Sequence, residues 1–158
     1  MLIPAILRTE QLVLEFNSRR YTDEMFYFSG ASCDNSEWEP ATDPYIYQYA
    51  IVSGEILLGY FDYVENPATD TIHNIGLISF YRCNPILGKD IYVKMRELIK
   101  AHRRVEWKMI GGNEAEGTYD RLCLRYGGNK VVLHDVLKDR YGNYHDDIIY
   151  EIARRKKK

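Results

Sequence analysis

One junction in the chain has the make-up of an anion site. In "NPILGKDIYVKMRELIKAH", residues 84–102, a loop with one glycine runs straight into an amphipathic helix. A helix start carries unpaired N–H donors and a partial positive charge, so it can hold a phosphate group without further help. Gly88 permits close backbone approach and Lys89 adds a mobile cation. The same residues also suffice for an ordinary helix start, which Asp90 stabilises by placing a carboxylate in the first turn of a helix that begins near Lys89. Two side chains nearby in sequence could move protons. Glu106 lies in the strand-like "RVEWKMI", on the side that alternates away from Trp107. His73 opens an earlier strand and titrates in the right range for a base. Each fits a satisfied or solvated strand residue better than a base. His102, His134 and His145 show no metal-ligand spacing, so no metal site is expected. Cys83 has no activating neighbour that would make it a nucleophile.

These groups sit in a chain of 158 residues, the size of one ordinary domain. The formal net charge of −2 gives no general nucleic-acid footprint. Charge is nevertheless uneven. No Lys or Arg occurs from Tyr21 to Tyr81, a stretch with ten Asp and Glu; basic residues become frequent from Arg82 onward. Such halves could face a cationic and an anionic ligand, or both could be solvated surface. No apolar run approaches membrane-spanning length, and "MLIPAILRTEQ" lacks the basic lead and cleavage site of a signal peptide. Cys33, Cys83 and Cys123 match neither a zinc pattern nor a disulfide framework, so the expectation is reduced thiols in a cytoplasmic protein.

The elements that must position the candidate site follow from periodicity. Residues 3–19 predict an amphipathic helix, with Pro4 tolerated in its first turn, and "TDEMFYF" a short second one capped by Thr22. A polar loop follows. "IYQYAIVS", "EILLGYFDYV" and "IHNIGLISFY" read as an antiparallel meander, rich in β-branched and aromatic residues. A helix from about Lys89 to His102 presents Ile91, Met95 and Leu98 on one face. "RVEWKMI" is a strand broken by "GGN", with Asn113 a turn or N-cap residue. A helix over roughly Glu114–Tyr126 ends in Gly127 and Gly128, and "KDRYGN" tips a closing hairpin. The result is one α+β domain: N-terminal helices over 1–30, a loop over 31–45, a core over 46–152, and a disordered basic tail over 154–158.

This order, with "IGLISFY", "NPILGKDIYVKMRELI", "VEWKMIGGN", "EAEGTYDRLCLRYGG" and the closing hairpin at its joints, resembles the GNAT-type N-acetyltransferases. It looks most like the small, divergent GNAT-like proteins of Firmicutes and their phages. The resemblance implies a mixed, mostly antiparallel sheet flanked by helices, with a V-shaped opening beside the third meander strand. It further implies acetyl-CoA as co-substrate and an amine-bearing acceptor, to which the acidic front half adds a preference for a cation. By position, backbone groups of Ile78, Ser79 and Phe80 would pair with the pantetheine arm. Ile86, Leu87, Gly88 and Lys89 would hold the pyrophosphate, Asn113 would meet the cofactor's far side, and Tyr119 would be the general acid, with Glu106 the candidate base. The family's phosphate loop has Gln or Arg, two residues, Gly, one residue, then Gly or Ala. Here Pro85 and Asp90 stand at the outer positions and only Gly88 remains. That departure leaves open a catalytically silent module that binds a partner or forms a homodimer.

Overall fold

The computed structural model describes residues 1–20, 22–28, 38–81 and 84–154 (of Glu24, the backbone only). Strands β1 (Leu2–Pro4), β2 (Ile46–Ser53), β3 (Ile56–Asn66), β4 (Thr71–Ser79), β5 (Arg104–Ile110), β6 (Asn129–Lys138) and β7 (Tyr144–Ala153) form one sheet in the order β1-β2-β3-β4-β5-β7-β6. Only β4 and β5 run parallel; every other neighbouring pair is antiparallel. Among the described residues the α-helices are α1 (Thr9–Arg19), α2 (Asp23–Phe26), α3 (Pro85–Ala101) and α4 (Glu116–Arg125). Among the described residues no helix is long and apolar enough to cross a membrane.

Two apolar clusters form, one on each face of the sheet. Ile91, Met95 and Leu98 of α3 and Tyr119 and Leu122 of α4 pack on Phe61, Ile72, Trp107 and Tyr150. On the opposite face Leu12 and Phe16 of α1 pack with Phe28 and Trp38 on Ala50, Tyr60 and Ile78. The central strand β3 is therefore buried without a break from Leu57 to Tyr63, because both its faces are covered; Asp62 is its one charged residue in that run. Burying a side chain such as Leu12 or Phe16 contributes roughly 1.5–3 kcal/mol.

The N-terminus departs from the predicted helix over 3–19. Leu2, Ile3 and Pro4 form edge strand β1, with Leu2 opposite Ile51 and Pro4 opposite Tyr49. Pro4 has φ −52° and ψ 130°, an extended conformation, and its missing N–H is harmless at a strand end. A 3-10 turn over Ala5–Arg8 then leads into α1. Helix α3 starts at Pro85, four residues before the predicted Lys89. Proline is favoured in the first turn, and Asn84 caps it. The tail also differs at its first residue: Arg154 donates through Nε and Nη2 to Ile99 O at 3.2 and 3.0 Å, which docks the end of β7 on α3. Residues 155–158 and positions 31–37 of the predicted 31–45 loop lie outside the described residues, as do Cys33 and Cys83.

Candidate functional site

Strands β4 and β5 touch at one end only. Thr71 lies opposite Arg104 and Ile72 opposite Val105, and beyond that pair no register continues. Asp70 latches this closed end. Its carboxylate meets His102 Nδ1 at 3.0 Å and accepts from Arg103 N at 2.9 Å, while its carbonyl accepts from Arg104 N at 3.2 Å. Above the latch, the β3–β4 register shifts between Asp62 and Val64, and Asn74 takes φ 49°. A bulge of this kind bends and twists its strand. β4 therefore stays with β3 while β5 follows β7, and a V opens between them.

The free edge of β4 offers backbone groups to that opening. Phe80 N donates to Leu58 O at 2.9 Å, so Phe80 is turned toward β3. Antiparallel pairs alternate, so Ile78 also faces β3, and Leu77 and Ser79 face the V. Of the three backbone positions expected for the pantetheine arm, only Ser79 points to the open side. Leu77 replaces the other two. The shift arises because strand parity is fixed by the β3 pairing, which depends on the bulge.

The first turn of α3 forms one wall. Asn84 Oδ1 accepts from Ile86 N and Leu87 N at 3.0 and 3.2 Å, and Gly88 N donates to Asn84 O at 3.1 Å. The donors expected to be free for phosphate are thus engaged by the chain's own cap. Leu87 seats this turn on β3 at Gly59, where an added Cβ would lie 2.4 Å from Ile78 O and 2.7 Å from Leu87 Cδ1. Gly59 is glycine because two elements meet there. Gly88 is different: it lines the cavity, and a Cβ added to it would meet no atom within 4 Å. Asp90 belongs to the second turn and is absent from the cavity wall; it pairs with the Met1 ammonium beside β1. Lys89 and Ile86 are exposed outside the wall.

Helix α4 forms the other wall. Gly112, with φ 87°, makes the turn out of β5 that only glycine adopts freely. Asn113 Oδ1 accepts from Ala115 N at 2.9 Å and Asn113 O from Glu116 N at 3.0 Å, which starts the helix. Both helix starts, each held by an asparagine, therefore flank one cavity of about 540 Å³. Tyr119 reaches into its floor. The phenol is buried against Trp107 and Tyr150, with ring centroids 5.6 and 6.0 Å away, and burial pushes its pKa up to about 12. Tyr27 and Phe28 close the opposite mouth.

Glu106 does not reach this cavity. Its carboxylate lies 2.7 Å from Arg104 Nη2 on the side of β5 away from Trp107. The strand alternation that was evident in the sequence puts it there, because Trp107 and Tyr119 share the cavity's side of the sheet. His73, opposite Val64 near the closed end, is likewise outside the wall. Of the expected residues, the structure brings together Ile78, Ser79, Leu87, Gly88, Asn113 and Tyr119 around the cavity. Asn84, Leu77 and Gly112 were missed. The signal for Asn84 was present, since Asn-Pro is a cap followed by a favoured first helical residue.

This splayed sheet, with its cavity between two helix starts, is the fold of the GNAT-type N-acetyltransferases. The structure is similar to an N-acetyltransferase from Staphylococcus aureus at 16% identity and TM-score 0.66, covering 97% of each chain. It is similar to a protein from Streptococcus mutans at 17% identity and TM-score 0.64, again covering 97% of each chain. A GCN5-related N-acetyltransferase from Brucella melitensis matches at 16% identity and TM-score 0.61, over 96% of this chain and 74% of that one. No protein-family model and no curated sequence matches the chain.

Proposed function

We propose that the chain is an N-acetyltransferase that moves acetyl from acetyl-CoA directly to an amine. The observation that carries this reading is Gly88. It is not needed for packing, since its Cβ position is open, and it costs helix stability relative to alanine. It lies on the cavity wall, where a ligand needs backbone approach. The unpaired edge of β4 at Leu77 and Ser79 supplies a strand-like partner for the two amides of a pantetheine arm. The cavity is of ligand size. The pyrophosphate would meet the α3 start at Asn84 and Gly88. Because Asn84 Oδ1 already occupies two N–H groups, the contact needs either its side-chain amide or its displacement.

In the reaction the neutral amine attacks the thioester carbon; the N–C bond forms and the C–S bond breaks. The sulfur leaves as a thiolate while the nitrogen still carries an extra proton. Tyr119 is protonated at neutral pH. A full proton transfer from a phenol of pKa about 12 to a thiolate near 8.5 costs roughly 5 kcal/mol. Tyr119 therefore serves as a hydrogen-bond donor to the developing thiolate, and the ammonium proton balances the sulfur through water. With Glu106 remote from the cavity, water also carries the base step.

A silent binding module is the weaker reading, since it leaves the open face at Gly88 and the free β4 edge without a purpose. The test is equilibrium dialysis with labelled acetyl-CoA. Saturable binding at one site, lost in Gly88→Leu, supports the proposal; no binding at millimolar concentration sinks it.

A further inference from the structure

Among the described residues, the wall of the cavity carries one charged side chain, the carboxylate of Glu114; the other side chains lining it are neutral. None of the described acids of residues 21–81 lines it, so the acidic front half does not supply this charge. Glu114 follows Asn113 on the α4 wall and is exposed. What the cavity would hold decides what that charge can do. Acetyl-CoA brings anionic phosphates, which belong at the α3 start, and a neutral pantetheine arm. It brings no cation at neutral pH. The ammonium of the acceptor is the one cation in the reaction, and so the one group that a carboxylate on this wall suits.

The cavity also reaches both faces of the sheet. Phe28 belongs to the apolar cluster on the α1 face, while Leu87, Met95 and Tyr119 belong to the cluster under α3 and α4, and all four line it. The helix starts frame one mouth; Tyr27 and Phe28 frame the other. Helix α2, just before them, has four residues, too few to hold itself. The β6–β7 hairpin holds it. Arg140 Nη2 lies 2.9 Å from Asp23 Oδ1, and the His145 ring packs on Phe26 and Tyr27 with centroids 5.1 and 6.2 Å away. Asp139 Oδ2 lies 3.1 Å from His145 Nε2 and fixes that ring. The aromatic frame is therefore set before a ligand arrives. Aromatic faces suit an apolar body or the flank of a cation. Among the described residues the wall has no second acid to balance a second ammonium.

We propose that Glu114 takes the ammonium of the acceptor and that Tyr27 and Phe28 take its body, so that the acceptor is a monoamine with an aromatic or other apolar body rather than a polyamine. The inference rests on the acetyl-CoA reading and names the acceptor class and a specificity-determining residue for it.

The test is titration calorimetry on protein saturated with CoA, which has no acetyl group to transfer. The probes are 2-phenylethylamine, its neutral analogue 2-phenylethanol, and spermidine. The wild type should bind 2-phenylethylamine at one site, roughly ten- to hundredfold more tightly than 2-phenylethanol, as expected for a hydrogen bond to a charged group. Glu114→Gln should remove that difference, and spermidine should bind the wild type more weakly than 2-phenylethylamine does. Glu114 is exposed, and a melting curve of the variant checks its fold. Equal binding of the amine and the alcohol to the wild type overturns the ammonium site. A preference for the amine that survives in folded Glu114→Gln overturns the role of Glu114. Spermidine binding as tightly as 2-phenylethylamine, or more so, overturns the monoamine class. No binding of 2-phenylethylamine to protein that binds CoA overturns the inference while leaving the acetyl-CoA reading intact. Failure of CoA itself to bind overturns that reading, and the acceptor site with it.

Discussion

Gly88 separates helix stability from ligand binding, because a substitution there should move the two in opposite directions. It is the fourth residue of α3, and glycine in a helix interior is destabilising by about 0.5–1 kcal/mol relative to alanine. An added Cβ meets nothing within 4 Å, so no clash offsets the gain. Gly88→Ala should therefore stabilise the free protein by about 0.5–1 kcal/mol. For a chain of this size that corresponds to a melting temperature raised by roughly 1–4 °C. The same methyl stands on the cavity wall, where it keeps a pyrophosphate from the backbone, so acetyl-CoA should bind several-fold more weakly. Gly88→Leu keeps good helix propensity and extends further into the open space; it should retain the stability gain and abolish binding. Thermal melts without ligand and dialysis with labelled acetyl-CoA measure the two effects separately. If both variants melt higher and bind as the wild type does, Gly88 is only a helix residue and the phosphate placement is refuted.

Other perturbations test the parts around it. Tyr119→Phe should lower turnover roughly ten- to hundredfold with acetyl-CoA affinity unchanged, the loss of one bond to a charged group; an unchanged rate would remove Tyr119 from the reaction. Because burial holds Tyr119 up to about 12, its ionisation should not depress the rate below about pH 10, which a pH–rate profile checks. Asn84→Ala removes the cap on Ile86 and Leu87 and should cost about 1 kcal/mol in denaturant unfolding. Asp139 is held well below the usual carboxylate range, first by His145 and then by Asn143 and Tyr141. Its stabilising contribution is present above the unfolded value near pH 4 and is lost as pH falls below it, so Asp139→Asn should flatten the acid side of the stability curve.

Much of the architecture was legible because it is written in local periodicity. The α3 face of Ile91, Met95 and Leu98 and the alternation of Val105, Trp107 and Met109 each repeat over several residues and bury as they read. The closing hairpin and the helix containing Tyr119 followed from turn residues at their ends. The missed features depend on partners far away in the chain. β1 is three residues long and exists only because Ile51 and Tyr49 pair with it. Its apolar residues fitted a helical period equally well. The V owes its opening to the irregular register at Asn74, and the parity of that pairing chose Leu77 and Ser79 over Ile78 and Phe80. A single asparagine in a strand does not announce a bulge. The α3 start differs from the expected one for another reason: Gly88 has the character of a loop residue, although Asn84 and Pro85 already encode the helix entrance. Moving that entrance back by one turn also carried Asp90 off the cavity wall, where it had looked like an obstacle to phosphate.

The splayed β4–β5 edge and the α3 start should together bind acetyl-CoA. The most direct measurement is the melting temperature of the purified protein with and without millimolar acetyl-CoA. A ligand at about one hundred times its dissociation constant adds roughly 2.7 kcal/mol to the folded state. The wild type should melt several degrees higher with the ligand, and Gly88→Leu should show no rise. An unchanged melting temperature in the wild type at that concentration would contradict such binding.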